Sequence, residues 1–312
     1  MDKIALRNVF GNELVRLGKK NKRIIVISCD LKSATKTSGF FKIFPERSFE
    51  VGIAEANGLG IATGFSLKGF IPIISSFASF ITGKFLEIRT SISYNNAPVK
   101  IIGTHGGFIG KDGATQSGTQ DIALMMSLPN FEVFQPASPI EMKQILNYVI
   151  KSKKPSYLRI CRNEVEEIYT KKFKFIPGKP VEVLKGKYSV IISSGPLIQN
   201  CLKAIKILKE KKLHPGLINI NSFKPFNHKL LFNLIKTKKK ILIVEDHVSH
   251  GGLSSLVYET IIKYGGLKCN INSLNLDEKF SESGSPEDLE KTNGFDPKNI
   301  AKIINAKNYL AK

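Results

Sequence analysis

A chain of 312 residues with 42% apolar and 23% charged residues has ordinary globular composition, which excludes disorder as its main state and suits two α/β domains better than one core. Its formal net charge of +21 raises nucleic acid, acidic membrane and phosphorylated substrate as partners. The lysines, however, fall in short clusters along the whole length (Lys19-Lys20, Lys153-Lys154, Lys171-Lys172, Lys238-Lys239-Lys240), and no basic run is interleaved with aromatics that could stack on bases, so solvated surface is favoured over nucleic-acid binding.

In chain order, "MDKIALRNVFGNEL" is a mixed amphipathic stretch without the long apolar run of a signal peptide. Short β-branched runs then alternate with helical patterns: strands at 23–28, 49–51, 70–75, 99–104, 156–160, 188–194, 216–220 and 240–245, and helices near 4–18, 53–67, 119–127, 139–151, 196–211, 227–236 and 252–264. Such alternation predicts parallel sheets with crossover helices, because continuous apolar strands need cover on both faces. The most apolar segment, Phe70 to Ile81, is too short to span a bilayer and is interrupted by serines. The four cysteines, Cys29, Cys161, Cys201 and Cys269, never approach a CxxC spacing, as expected of reduced thiols rather than a disulfide frame or a zinc site. A soluble cytoplasmic protein with no membrane contact is the reading. The charged stretch 163–187, broken by Pro177, Gly178 and Pro180, is the linker candidate, dividing the chain into 1–163, a linker 164–187 and 188–312.

Polar residues gather at the carboxyl ends of the first domain's strands, where open parallel sheets keep their ligand sites. Glu55 opens a helix rich in Gly58, Gly60, Ala62 and Gly64, small residues that let another helix or a ligand approach. A carboxylate there is either a helix N-terminal anion or a proton-handling group. Phe77, Phe80 and Phe85 follow the strand 70–75 and can serve as core or stack on a flat heterocycle. His105 and Asp112 lie in "THGGFIGKDGATQSGTQD" (104–121), a loop long enough to suggest function. Arg162 follows the strand 156–160.

The stretches "VGIAEANGLGIATGFSLKGFIPIISSFASF" and "THGGFIGKDGATQSGTQDIALMMSLPNFEVFQPAS" resemble the pyrimidine-binding domain of transketolases and, more distantly, the matching region of deoxyxylulose-phosphate synthases and 2-oxoacid dehydrogenase β subunits; "VEDHVSHGGLSS" resembles the superfamily's C-terminal domain. The resemblance implies a thiamine-diphosphate-binding pyrimidine-domain fold followed by a transketolase C-terminal-domain-like α/β fold. It implies that Glu55 faces N1′ of the aminopyrimidine and, by sharing a proton there, favours the imino tautomer that generates the ylide. Phe77 and Phe80 would pack around that ring, and Asp30 would stand near the cofactor and the subunit contact. Asp112 would bond a hydroxyl of the ketose donor, and Arg7, His105 and Arg162 would hold a sugar phosphate. Two departures stand out. Gln116 replaces the His of "DGPTHQ" and can bond a substrate oxygen but carries no proton, and Ala34 stands where a phosphate-contacting Ser is common.

The family anchors the diphosphate and Mg²⁺ with a GDG motif followed downstream by Asn, hard oxygen ligands suited to that ion. No GDG occurs here. The resemblance therefore implies the C-terminal subunit of a split transketolase, holding no metal itself, active only with an N-terminal GDG…N subunit in an α2β2 assembly. The reaction implied is transfer of a two-carbon ketol unit from a phosphorylated ketose to an aldose. The alternatives are a subunit of a decarboxylating enzyme of the deoxyxylulose-phosphate synthase or 2-oxoacid dehydrogenase type, and a non-catalytic regulatory subunit.

Overall fold

The structure, a computed structural model, describes residues 3–108, 112–280 and 282–306. Its strands in chain order are β1 (Ile4–Ala5), β2 (Ile24–Ser28), β3 (Ser48–Glu50), β4 (Ile71–Phe77), β5 (Lys100–Thr104), β6 (Glu132–Phe134), β7 (Ser156–Ile160) and β8 (Glu164–Val165). In the second half they are β9 (Val181–Leu184), β10 (Ser189–Ser193), β11 (Gly216–Asn219), β12 (Ser222–Lys224), β13 (Lys240–Val244) and β14 (Asn270–Leu274). The larger sheet runs β12-β6-β7-β5-β4-β2-β3 and the second β14-β13-β10-β11-β9, while β1 pairs with β8 by itself.

All residues of β2, β5 and β7 are buried, because helices cover the sheet on both sides. Alternate residues of one strand serve opposite faces. Ile24 and Val26 pack with the helices Leu6–Lys20 and Pro139–Lys151, whereas Ile25 and Ile27 share a core with Leu59 and Ala62 of the helix Glu55–Leu67. That second core continues without a break into Val190, Ile192, Ile241 and Ile243 of the other sheet. At about 1.5–3 kcal/mol for each large apolar side chain buried, the shared core is a major part of what holds the two halves together.

The pairing within each of the two large sheets is parallel except at one edge, and β1 and β8 are antiparallel. β9 runs antiparallel to β11, and β12, from the second half, runs antiparallel to β6 of the first. The stretch 164–187 contains β8 and β9. The parallel strands of the larger sheet bring the carboxyl ends of β2, β4, β5 and β7 to one side, which is where the polar residues singled out above fall. Among the described residues no helix is long and apolar enough to cross a membrane, and no cluster of three or more His, Cys, Asp or Glu could hold a metal ion.

Candidate active site

Glu55 is the first residue of the helix Glu55–Leu67, and its side chain is buried with 6% exposure. The hydroxyl of Ser76, near the end of β4, donates to Glu55 Oε1 at 2.8 Å. Among the described residues this is the one hydrogen bond to the carboxylate, so Oε2 remains free to meet a donor. Gly58, one turn along the helix, leaves room for Ile74 and Cys29; a Cβ there would lie 2.8 Å from Ile74 Cδ1. Cys29 is inert in this setting, its thiol pushed up to about 12 by burial and then by the negative charges of Glu55 and Glu50.

Phe77 ends β4 beside Ser76 and stacks on Phe80, with ring centroids 5.2 Å apart and planes 26° from parallel. The other neighbour of Phe77 is His105, 3.8 Å away between centroids. His105 follows β5 with φ +59°, a left-handed backbone that costs a non-glycine residue on the order of 1 kcal/mol or more. Its Nδ1 lies 3.1 Å from Thr104 Oγ1. Burial first, then the positive charges of Arg7 and Arg162, hold the imidazole down to about 3, so it is neutral at physiological pH.

Arg162 Nη1 reaches Asp112 Oδ2 at 2.8 Å. Arg7 Nη1 donates to the carbonyl of Ala34 at 3.2 Å, while its buried Nε has no partner. Burial and the neighbouring Arg162 both lower the Arg7 pKa, and Asp112 opposes them. Two guanidinium groups with one carboxylate between them carry an excess positive charge, and an anion is the natural complement. The two arginines line a cleft of about 550 Å³ between the two halves, where Lys3, Lys36 and Lys203 add to the positive charge and Glu164, Glu287 and Glu290 partly offset it.

Glu55 is tied through Ser76 to the chain just before Phe77, Phe77 meets the rings of Phe80 and His105, and His105 feels the charges of Arg7 and Arg162, the second of which holds Asp112, so these residues form an array whose two arginines line the cleft. Gln116 is half-buried in a short turn, Ala114–Gln116, and its side chain makes no hydrogen bond to the array among the described residues. Asp30 stands apart. It is exposed with φ +60°, and its main-chain N–H donates to Glu50 Oε1 at 2.6 Å. Ser76 and the Ala34 carbonyl were not anticipated, since a serine in a strand and a main-chain oxygen carry no signal in sequence.

The most heavily bonded charge nearby was not anticipated either. Arg159 of β7 is fully buried; its Nε donates to Asp121 Oδ2 at 3.0 Å and its Nη1 to Asp246 Oδ1 at 2.6 Å. Tyr157 donates its hydroxyl to Asp121 Oδ2 at 2.6 Å. The polar stretch "EDHVSHGGLSS" (245–255), which follows β13, is the other side of this cluster. Asp246 meets Arg159, while Glu245 accepts the N–H groups of Leu253 at 2.6 Å and Ser254 at 3.0 Å at the start of the helix Leu253–Lys263.

The chain matches the family model described as transketolase, pyrimidine binding domain, over residues 2–167, and that described as transketolase, C-terminal domain, over residues 178–300. It belongs to the transketolase family. Within that family, a putative transketolase C-terminal section from Methanocaldococcus jannaschii is 34% identical over 304 residues, covering 96% of this chain and 95% of its own. A solved split-gene transketolase, described as an inactive β4 tetramer, is 33% identical with a TM-score of 0.86 over 96% of both chains. A 1-deoxy-D-xylulose-5-phosphate synthase from Clostridium botulinum is 32% identical over 95% of this chain, which spans 48% of that enzyme. The transketolase match places the array on the pyrimidine-binding portion of the chain, with the cleft shared between that portion and the C-terminal one.

Proposed function

We propose that this chain is the C-terminal, β-type subunit of a split transketolase that moves a two-carbon ketol unit from a phosphorylated ketose to an aldose in the cytoplasm. Thiamine diphosphate would lie between it and an N-terminal GDG…N subunit that holds Mg²⁺, in an α2β2 assembly. Residues 1–163 would form the pyrimidine domain, 164–187 the linker and 188–312 the C-terminal domain.

The observation that carries the reading is the buried Glu55 carboxylate, steadied on one oxygen by Ser76, the residue that precedes the Phe77–Phe80 stack in the chain, and open on the other. A protonated ring nitrogen flanked by aromatic surface fits that setting, so the residues present suit an aminopyrimidine. When bound, thiamine diphosphate supplies the carbanion chemistry for breaking and making C–C bonds. Glu55 would share a proton with the ring nitrogen, a task that needs withdrawal from water. Phe77 and Phe80 would fix the ring's plane and exclude water. Arg7 and Arg162 would hold the sugar phosphate, with neutral His105 as an added hydrogen-bonding group. Asp112 and Gln116 would meet substrate hydroxyls, and Asp30, outside the array, would serve at the subunit contact.

In a mixture of this chain, the GDG…N subunit, thiamine diphosphate and Mg²⁺, Glu55→Gln is expected to lower ketol transfer by about 10²–10⁴-fold. Wild-type turnover in that variant would refute the reading. A decarboxylating reaction is the second reading, favoured by the 32% identity to the deoxyxylulose-phosphate synthase. It would show as CO₂ release from a 2-oxoacid by the same mixture.

A further inference from the structure

The loop bearing His105, Asp112 and Gln116 leaves β5 and holds His105 in a left-handed conformation, and its described residues are tied to one another by isolated bridges from Gly106 and Gly107 to Gly118. We propose that Arg159, locked from the second half of the chain by Asp246, is the positioning residue that fixes this loop, so that the docking of the two halves sets the shape of the substrate site.

The hydrogen bonds run in series. Arg159 Nη2 donates to the Gly118 carbonyl at 2.9 Å, and the Gly107 N–H donates to the same oxygen at 2.7 Å. The Gly118 N–H in turn donates to the His105 carbonyl at 3.3 Å, next to the strained φ. On its other side Arg159 gives Nη1 to Asp246 Oδ1 at 2.6 Å and Nη2 to the Asp246 carbonyl at 3.0 Å, while Nε goes to Asp121. Val248, two residues beyond Asp246, donates its N–H to the Thr119 carbonyl at 3.0 Å. The loop's glycines are shaped to this anchor. A Cβ at Gly106 would stand 2.7 Å from Arg159 Cγ and Nε, and one at Gly107 would stand 2.1 Å from Asp246 Oδ2. A planar fork with donors in three directions can hold a loop, a helix start and a second domain at once, which the single ammonium of lysine cannot.

Hydrogen–deuterium exchange on the full-length chain tests this, using Arg159→Lys, which keeps the charge but not the fork, and Asp246→Ala, which leaves Arg159 paired with Asp121. The amides of Gly107, Gly118 and Val248 are expected to exchange about tenfold faster or more in both variants, with those of β4 and β10 unchanged. The His105 ring signals, silent between about pH 5 and 8 in the wild type because burial keeps the imidazole neutral, are expected to begin titrating as the loop opens. A fold made merely less stable would not produce that titration. Unchanged protection in 104–121, or a uniform loss over both sheets, overturns the proposal. Should Arg159→Lys not fold, Asp246→Ala decides by the same readouts. The consequence for turnover rests on the transketolase reading, where these variants should raise KM for the sugar more than they lower kcat. An assembled enzyme inert towards ketoses would sink that reading and leave the exchange result standing.

Discussion

Glu141 offers a measurable pH dependence at the junction of the two halves. It sits in the first turn of the helix Pro139–Lys151 with no exposure to solvent. Its carboxyl accepts the Ala137 N–H at 2.5 Å and the side-chain amide of Asn221 at 2.6 Å, with Asn219 and Tyr169 at 3.1 and 3.2 Å. Burial nonetheless outweighs these bonds and pushes the carboxyl up to about 7, from an ordinary 4.5. Between those limits the folded chain keeps a proton that the unfolded chain has lost, so stability is fully present below about pH 4.5 and falls as pH rises towards 7. At about 1.4 kcal/mol per pH unit the loss amounts to about 3 kcal/mol. Glu141→Gln removes this titration, and a Gln amide can donate to the buried Asn219 or Asn221 side-chain oxygens, which have no donor of their own. Urea denaturation of both chains at pH 5 and pH 8 should therefore find the variant comparable at pH 5 and more stable at pH 8, by about 3 kcal/mol relative to the pH 5 difference. Glu245, pushed up to about 7 chiefly by burial as well, is common to both chains and cancels from the comparison. A difference that stays constant with pH would refute the reasoning.

Gly107→Ala sets a Cβ 2.1 Å from Asp246 Oδ2 at φ +83°; a fall in stability of about 3 kcal/mol or more is expected in a thermal melt. Gly60, inside the helix Glu55–Leu67, has open space where a Cβ would go, so Gly60→Ala should stabilise the isolated chain by about 0.5–1 kcal/mol. A loss instead would mean that this face is already covered. Arg162→Lys in the assembled enzyme should raise KM about tenfold for a phosphorylated ketose and leave a non-phosphorylated analogue unchanged, since lysine cannot grip two phosphate oxygens. Equal effects on both sugars would count against a phosphate contact.

Long helices were legible because a helical pattern has several turns in which to show itself, as a one-sided apolar stripe in three of the four and as an unbroken run of small and apolar residues in Glu55–Leu67. The patterns at 4–18, 53–67, 139–151 and 196–211 correspond to the helices Leu6–Lys20, Glu55–Leu67, Pro139–Lys151 and Leu197–Glu210. Elements without repetition were not. β6 and β12 have three residues each, and β14, "NINSL", is a polar edge strand with no apolar alternation. The helices Pro286–Thr292 and Pro297–Asn305 were missed although their starts were written in Ser285-Pro286 and Asp296-Pro297, where a capping oxygen precedes a proline whose missing N–H costs nothing. The antiparallel β12 follows no local rule at all. Its place is set by the other half of the chain.

The site divides in the same way. Glu55 stood out because a carboxylate among apolar neighbours is conspicuous, and the structure buries it. Arg159 lies in "SYLRI", which reads as an apolar strand with one charge, and its partners Asp121 and Asp246 are 38 and 87 residues away. A charge that is odd in its local setting can be found by inspection; a charge satisfied at long range looks like solvated surface until the chain is folded. The glycines show the complementary ambiguity. Gly103, Gly106, Gly107 and Gly118 fit around Tyr157, Arg159, Asp246 and Ala78, so the richness that marked this loop as functional reflects protein packed closely on protein. The same sequence signal therefore serves two ends, with the glycines closing the loop onto a buried ion cluster while His105, at its start, stays against the Phe77 ring.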